Sequence, residues 1–400
     1  MKVALVASSY LPRTGGLERH VHELARGLAR RGAQVEVLTQ VRPPRRQPPV
    51  CESDGFVVRR FVASIANMRF GIAPGLWEHL RRTAPSLDVV HAHSANAPFA
   101  LAVAHAGPRR FFFTPHTPIH RLMHWPYARA IRAVVEHAAQ TICTSSVEGD
   151  LLRARFPWAA DRVWVMPLGV DVNAIQTAKP FAESGTVVLT VGRLERHKRV
   201  ERAIAAMVSL DDTFRLVVVG SGAAWQRLQS YASDLHVASR VKFAGSIPDL
   251  ELCRWLRTGR VLVALSEQDT SGIQVTEALS AGMPVVASDI PVHREAASHV
   301  DGAGVTFVSP EGSPLEVADA ISEAARIRVS PVAPLALPSW GTMVDNSLAL
   351  YDGTAIRRPL AAARGDGMAD GEQAWRNFLK AKVALRATSR EDGPDMAIGG

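Results

Sequence analysis

The feature that most constrains this chain is a pattern that occurs twice: a short apolar run, a loop of small residues, then an amphipathic stretch. In the first half, KVALVAS (2–8) has the length and burial of a strand. GLERHVHELARGLARRG (16–32) then places Leu17, Val21, Leu24 and Leu28 at helical spacing. Gly32 ends the helix and VEVLT (35–39) follows as the next strand. Strand, helix and strand joined by short links form a βαβ unit, which implies a parallel sheet. The alternation continues through FVVRRF (56–61), DVVHAH (88–93), FFFTPH (111–116), TICTS (141–145) and VWVMPLGVD (163–171). It restarts with TVVLTVG (186–192), a helix from Val200 to Ser209, RLVVVG (215–220), VKFAG (241–245), VLVALS (261–266) and PVVAS (284–288). About six parallel strands in each half predict an α/β protein of two Rossmann-like, doubly wound domains, with ligands at the carboxyl ends of the strands.

A linker near 168–183 divides the chain into 1–168 and 169–355. After a Pro-rich patch (Pro331, Pro334, Pro338), SWGTMVDNSLALYDG (339–353) reads as a last helix. The tail 356–400 is rich in Ala, Gly and charge and is expected to be partly disordered, with a helix near Ala374–Arg386. Cys51, Cys143 and Cys253 are too widely spaced for a zinc motif or a disulfide framework, which fits a reducing, cytoplasmic setting. The first apolar run is too short for a secretion signal, and no run reaches the roughly 20 residues of a spanning helix. Charge is uneven: residues 1–170 hold 22 Lys and Arg against 11 Asp and Glu, whereas 171–355 hold 16 against 21. A basic first half suits an anionic membrane surface or a phosphorylated acceptor, and equally suits arginines scattered over helix faces. Nucleic acid is not expected as a partner, because the cations lack interleaved aromatics or a known module.

Two segments carry chemistry. In VGRLERHKRV (191–200), Arg193 and Lys198 lie beyond a buried strand, where two cations can stabilise a departing diphosphate or simply be solvated. In SEQDTSGIQVTEALSAGMPVVAS (266–288), Asp269 and Glu277 flank Ser271 and Gly272 at a helix start. Free N–H groups there can receive phosphates and Glu277 can accept from ribose hydroxyls; acids complementing a helix dipole would look the same. Gly220-Ser221-Gly222 is a fragment of a dinucleotide fingerprint whose third glycine is replaced by Trp225. No Asp-x-Asp pair offers to ligate a catalytic cation.

Taken together and in order, these segments resemble retaining glycosyltransferases of family four. The shared features are GRLERHK, VVVGSGAAWQRLQ (217–229), VKFAGSIPD (241–249) and TEALSAGMPVVAS (276–288), with GGLERHVHELARGLARRG, DVVHAHS (88–94), HTP (116–118) and MPLGVD (166–171) in the first half. The resemblance covers about residues 1–355. It implies the GT-B fold, with 1–168 binding the acceptor and 169–355 binding a UDP- or GDP-sugar. It also implies hexosyl transfer with retention to a hydroxyl of a lipid-linked, polysaccharide or small-molecule acceptor, by a front-side route with neither cofactor nor metal.

By the same resemblance Arg193 and Lys198 bind the diphosphate and Glu277 the ribose, while Gly245, Ser246 and Ile247 contact the base. Ser271, Gly272 and Ile273 line the phosphates and sugar, Gly15 and Gly16 let the first domain close, and His116 bonds the transferred sugar. His91 and His93 are cleft-lining at most. Asp269 stands where the family has glutamate, so it meets the donor sugar differently or shares the task with Glu267; Leu265 stands where proline is common. Two other readings share the architecture, a non-catalytic partner of another transferase and a sugar-nucleotide epimerase. Product analysis separates them.

Overall fold

A computed structural model describes residues 1–13, 15–41, 47–63, 73–94, 97–116, 127–300, 304–331 and 337–354. Thr117, Pro118 and the tail with its expected helix lie outside the described residues.

The first lobe is built on an eight-stranded sheet. Its strands are β1 (Lys2–Ala7), β2 (Gln34–Val41), β3 (Val50–Ser53), β4 (Phe56–Val62), β5 (Val89–His93), β6 (Phe111–Thr114), β7 (Gln140–Cys143) and β8 (Val163–Val165). Their order is β3-β4-β2-β1-β5-β6-β7-β8, and every pairing is parallel except β3 with β4. The central strands are apolar on both faces because helices cover both, and Val3 to Ala7 are fully buried. The antiparallel β3 was not expected from VCES. It folds back through Asp54 (φ 50) and Gly55 (φ 85), a two-residue turn with both central residues left-handed, as the Asp-Gly pair favours.

The second lobe holds six parallel strands, β9 (Thr186–Val191), β10 (Phe214–Val219), β11 (Val241–Gly245), β12 (Val261–Ala264), β13 (Val285–Ser288) and β14 (Val305–Val308), in the order β11-β10-β9-β12-β13-β14. The edge strand β14 also escaped the sequence, since VTFV is only half-buried and follows no long apolar run.

The last helix, Trp340–Asp352, is capped at both ends: the Ser339 hydroxyl accepts from the Thr342 N–H, and Gly353 takes the left-handed conformation at φ 75. Its place is not the one its position in the chain suggests. It returns to the first lobe and packs on the helix Gly16–Arg30, where a Cβ on Gly27 would fall 2.4 Å from Val344 Cγ2. Arg31 pairs with Asp345 at 2.6 Å, and the Tyr351 hydroxyl hydrogen-bonds His91 Nδ1 at 2.6 Å. The return crosses the interlobe linker closely: the Val170 N–H donates to Pro338 O, and a Cβ on Gly169 would sit 2.2 Å from the Trp340 nitrogen.

Candidate functional site

The loop after β9 is carried on glycines. Gly192 N–H donates to Val219 O, Leu194 N–H to Ser221 O and Ala224 N–H to Leu194 O, lacing the loop to the chain beyond β10. A Cβ on Gly220 (φ 127) would lie 1.9 Å from Gly192 O, and one on Gly222 would lie 2.4 Å from Leu194 O. The Gly-Ser-Gly fragment therefore seats the Arg193 loop, and no dinucleotide turn is needed to account for it.

From that loop Arg193 and Lys198 line one narrow cavity with Thr190, Gly192, Ser266 and Gln274. Arg193 is exposed, and its guanidinium makes no hydrogen bond or ion pair among the described residues. Lys198 is held: its Nζ donates to Asp269 Oδ2 at 2.9 Å. The same carboxylate accepts from Gln274 Nε2 at 2.7 Å and from the Thr270 N–H at 2.8 Å. Burial works against the Asp269 charge, but the Lys198 ammonium, His293 and the Gln274 amide prevail and hold its pKa well below the ordinary carboxylate range. In this arrangement Asp269 positions Lys198. Glu267, considered as a helper, turns away to Arg199 Nε at 2.7 Å.

The helix Ile273–Ser280 starts at Gly272, which is left-handed (φ 60) and backs onto Ala296 and Val292 of the helix Pro291–Ser298. No side chain caps it, and the Ile273 and Gln274 N–H groups have no acceptor among the described residues. Its first turn therefore offers donors beside the cations, with Ser271 partly exposed next to them. On the far side of the Arg193 loop, Gly245 (φ 74) closes β11, the exposed Ser246 hydroxyl lies 2.8 Å from that of Ser221, and Ile247 packs partly into the core.

Glu277, one turn into the helix and 2% exposed, is occupied by a residue from the other lobe. Arg19 Nη1 donates to Glu277 Oε1, while Arg19 Nε stands 3.4 Å from Asp249 and the guanidinium lies 5.7 Å from the Trp340 ring centroid. Burial raises the Glu277 pKa despite the opposing pull of Arg19. A second interlobe clasp runs from the helix Ser146–Arg155, where the Ser146 N–H and hydroxyl donate to Glu295 at 2.6 and 2.7 Å. The lobes also meet at Gly15: a Cβ there would be 2.6 Å from Glu18 Oε2 and 3.5 Å from Arg193 Cδ. The first of these is the mobile end of a side chain on the same lobe and the second is an ordinary van der Waals contact. A Cβ on Gly16 would meet nothing within 4 Å.

On the first-lobe side, His116 follows β6 in a left-handed conformation (φ 50), which aims its ring at His93, with Nε2 3.1 Å from His93 Nδ1. His20, from the helix Gly16–Arg30, closes a triangle with them. Burial, helped at His93 and His116 by neighbouring imidazoles, lowers all three pKa values, that of His20 to about 3. These rings are neutral at pH 7. His91 is a core residue, hydrogen-bonded to Tyr351 and to the Thr114 hydroxyl at 2.9 Å.

Sequence reasoning missed Arg19, His20 and Glu295. The first two sit in the quoted GLERHVHEL stretch, where helical spacing shows which residues share a face but not what that face meets.

Residues 14–174 match the family model described as Glycosyltransferase Family 4, and residues 171–329 match that of Glycosyl transferases group 1. The phosphatidyl-myo-inositol mannosyltransferase of Mycobacterium leprae is 28% identical over 339 residues, covering 80% of this chain and 86% of that one. D-inositol 3-phosphate glycosyltransferase 1 of Catenulispora acidiphila is 28% identical over 385 residues, covering 84% and 90%. Among solved structures, the sucrose-phosphate synthase of Thermosynechococcus elongatus superposes with a TM-score of 0.66 at 20% identity, covering 96% of this chain and 99% of that one. HepE of Anabaena, in complex with UDP and glucose, superposes at 0.63 with 18% identity, covering 95% and 100%. At such identities the likeness is one of fold, and the fold is GT-B.

Proposed function

The chain belongs to glycosyltransferase family 4, and on that premise we propose that it moves a hexosyl group, with retention, from a UDP- or GDP-sugar to a hydroxyl of an anionic acceptor. The observation that carries this reading is the Arg193 guanidinium, without a partner among the described residues, beside the Asp269-held Lys198, both lining one cavity at the carboxyl end of β9. As the bond from the sugar's anomeric carbon to the diphosphate breaks, negative charge grows on the phosphate oxygens. Two cations already in place stabilise it without reorganising, and the uncapped helix start at Gly272 adds N–H donors.

This charge compensation comes from side chains, so the step asks for no metal. Glu277 takes the ribose once Arg19 withdraws, and Ser246 and Ile247 border the base. His116 donates to the transferred sugar from the acceptor side. For the acceptor, the excess of cations over residues 1–170 favours a phosphorylated polyol or its lipid, in keeping with the names of the two relatives. Among the described residues no helix is long and apolar enough to cross a membrane, so contact with an anionic lipid surface would be peripheral.

The test is a thermal-shift screen of nucleotide-sugars, since a donor at about a hundred times its Kd adds roughly 2.7 kcal/mol of stability. It is followed by product analysis with inositol phosphate and phosphatidylinositol as acceptors. Lys198→Ala and Glu277→Ala should each abolish glycoside formation while remaining folded; wild-type turnover in either rejects these roles. A free epimerised sugar in place of a glycoside would replace transfer with epimerisation.

A further inference from the structure

The three histidines His20, His93 and His116 are brought together from distant parts of the chain, with one nitrogen of each lying within 4.8 Å of the others. Their ring centroids are 5.0, 5.0 and 5.4 Å apart. In a tetrahedral zinc site the Zn–N bond is about 2.0–2.1 Å, so ring centres lie about 3.2 Å from the metal and about 5.2 Å from one another. The observed triangle already has that size. The 3.1 Å gap from His93 Nδ1 to His116 Nε2 is likewise close to the edge of a ZnN4 tetrahedron, about 3.3–3.4 Å.

The rings stand on a helix, on the end of β5 and two residues beyond β6. Two buried nitrogens, His20 Nδ1 and His93 Nε2, have no hydrogen-bond partner among the described residues, which is unusual for an interior polar atom. Hydrogen bonds among the three rings leave that shortfall in place, whereas a cation held by His20 Nδ1, His93 Nδ1 and His116 Nε2 relieves it at His20, with His93 Nε2 still without a partner among the described residues.

We propose that His20, His93 and His116 form a three-histidine site for a borderline transition-metal cation such as Zn2+. Imidazole donors without a carboxylate or thiolate select Zn2+, Co2+ or Cu2+ over Mg2+ and Ca2+. The site is inhibitory. A metal that engages His116 removes the group assigned to the transferred sugar, so the inhibition, unlike the binding, rests on the functional reading above.

The experiment uses the untagged full chain titrated with Co2+ alone and then with Zn2+. One equivalent of Co2+ should give the intense visible bands of four-coordinate cobalt, which Zn2+ then bleaches. His20→Asn and His116→Asn, checked for folding by circular dichroism, should each weaken binding by at least ~100-fold. His105→Ala breaks a histidine pair exposed on the surface, with centroids 4.8 Å apart, and should change nothing. Absence of the bands in the wild-type chain, their persistence in both cluster variants, or their loss in His105→Ala overturns the proposal, and the wild-type and His105→Ala results decide even if both cluster variants unfold. Zn2+ that binds at this site while leaving glycosyl transfer intact would keep the site and refute the role given to His116.

Discussion

Replacing Arg19 by methionine tests the contact that joins the lobes at the donor site. In the wild-type chain the Glu277 carboxylate, with 3% of its side chain exposed, has the Arg19 guanidinium as its counter-charge. Burial raises the Glu277 pKa, Arg19 lowers it, and Asp249 adds a further rise. Once Arg19 is gone, only the two raising influences remain, and the folded protein strongly prefers a neutral Glu277. A carboxyl whose folded pKa lies above its unfolded value costs nothing at a pH below both and progressively more as pH climbs between them. The variant should therefore lose little at pH 5 and most at pH 8.

Stranding one partner of a buried pair costs about 3–5 kcal/mol, and water entering as the lobes part reduces this to about 2–3 kcal/mol. At roughly 2–4 °C per kcal/mol for a unit of a lobe's size, the melting temperature at pH 8 should fall by about 5–10 °C. The assay is thermal unfolding of wild type, Arg19→Met and Arg19→Met/Glu277→Gln at both pH values. The double variant should close most of the gap between the two. Equal losses at pH 5 and 8, or a double variant with the same pH dependence as the single, would refute the electrostatic account.

Three further outcomes are expected. Gly220→Ala places a Cβ 1.9 Å from Gly192 O at a φ of 127°, so it should cost about 3 kcal/mol or more and abolish the thermal shift given by nucleotide-sugars; a variant that melts and binds like wild type would separate Gly220 from the Arg193 loop. Burial pushes the Glu148 pKa up to about 8, against hydrogen bonds from Thr144, so this carboxyl's stability contribution is lost as pH rises from the ordinary range through 8. Glu148→Gln should match wild type in urea unfolding at pH 5 and exceed it by about 2–4 kcal/mol at pH 9, and a constant difference would contradict the sign. The chain should co-sediment with vesicles rich in anionic phospholipid at low salt and be released at high salt, and failure to pellet at low salt disposes of the membrane contact.

Residue pattern alone disclosed two parallel-sheet lobes, the loop carrying Arg193 and Lys198, the helix beginning at Gly272, and the helix 339–353. Each is a property of a few consecutive residues: strand length, helical spacing and small residues in the loops between. It did not disclose that Asp269 grips Lys198, that Arg19 fills the place beside Glu277, that the last helix packs on the first lobe, or that His20 joins His93 and His116. Arg19 and Glu277 are separated by 258 positions and His91 and Tyr351 by 260, so no local period relates them. Periodicity determines which face of an element turns inward. Which face of another element it meets is decided only when the sheets, the linker at Gly169 and the returning helix are packed together, because burial and the need to pair buried charge act across space and not along the chain.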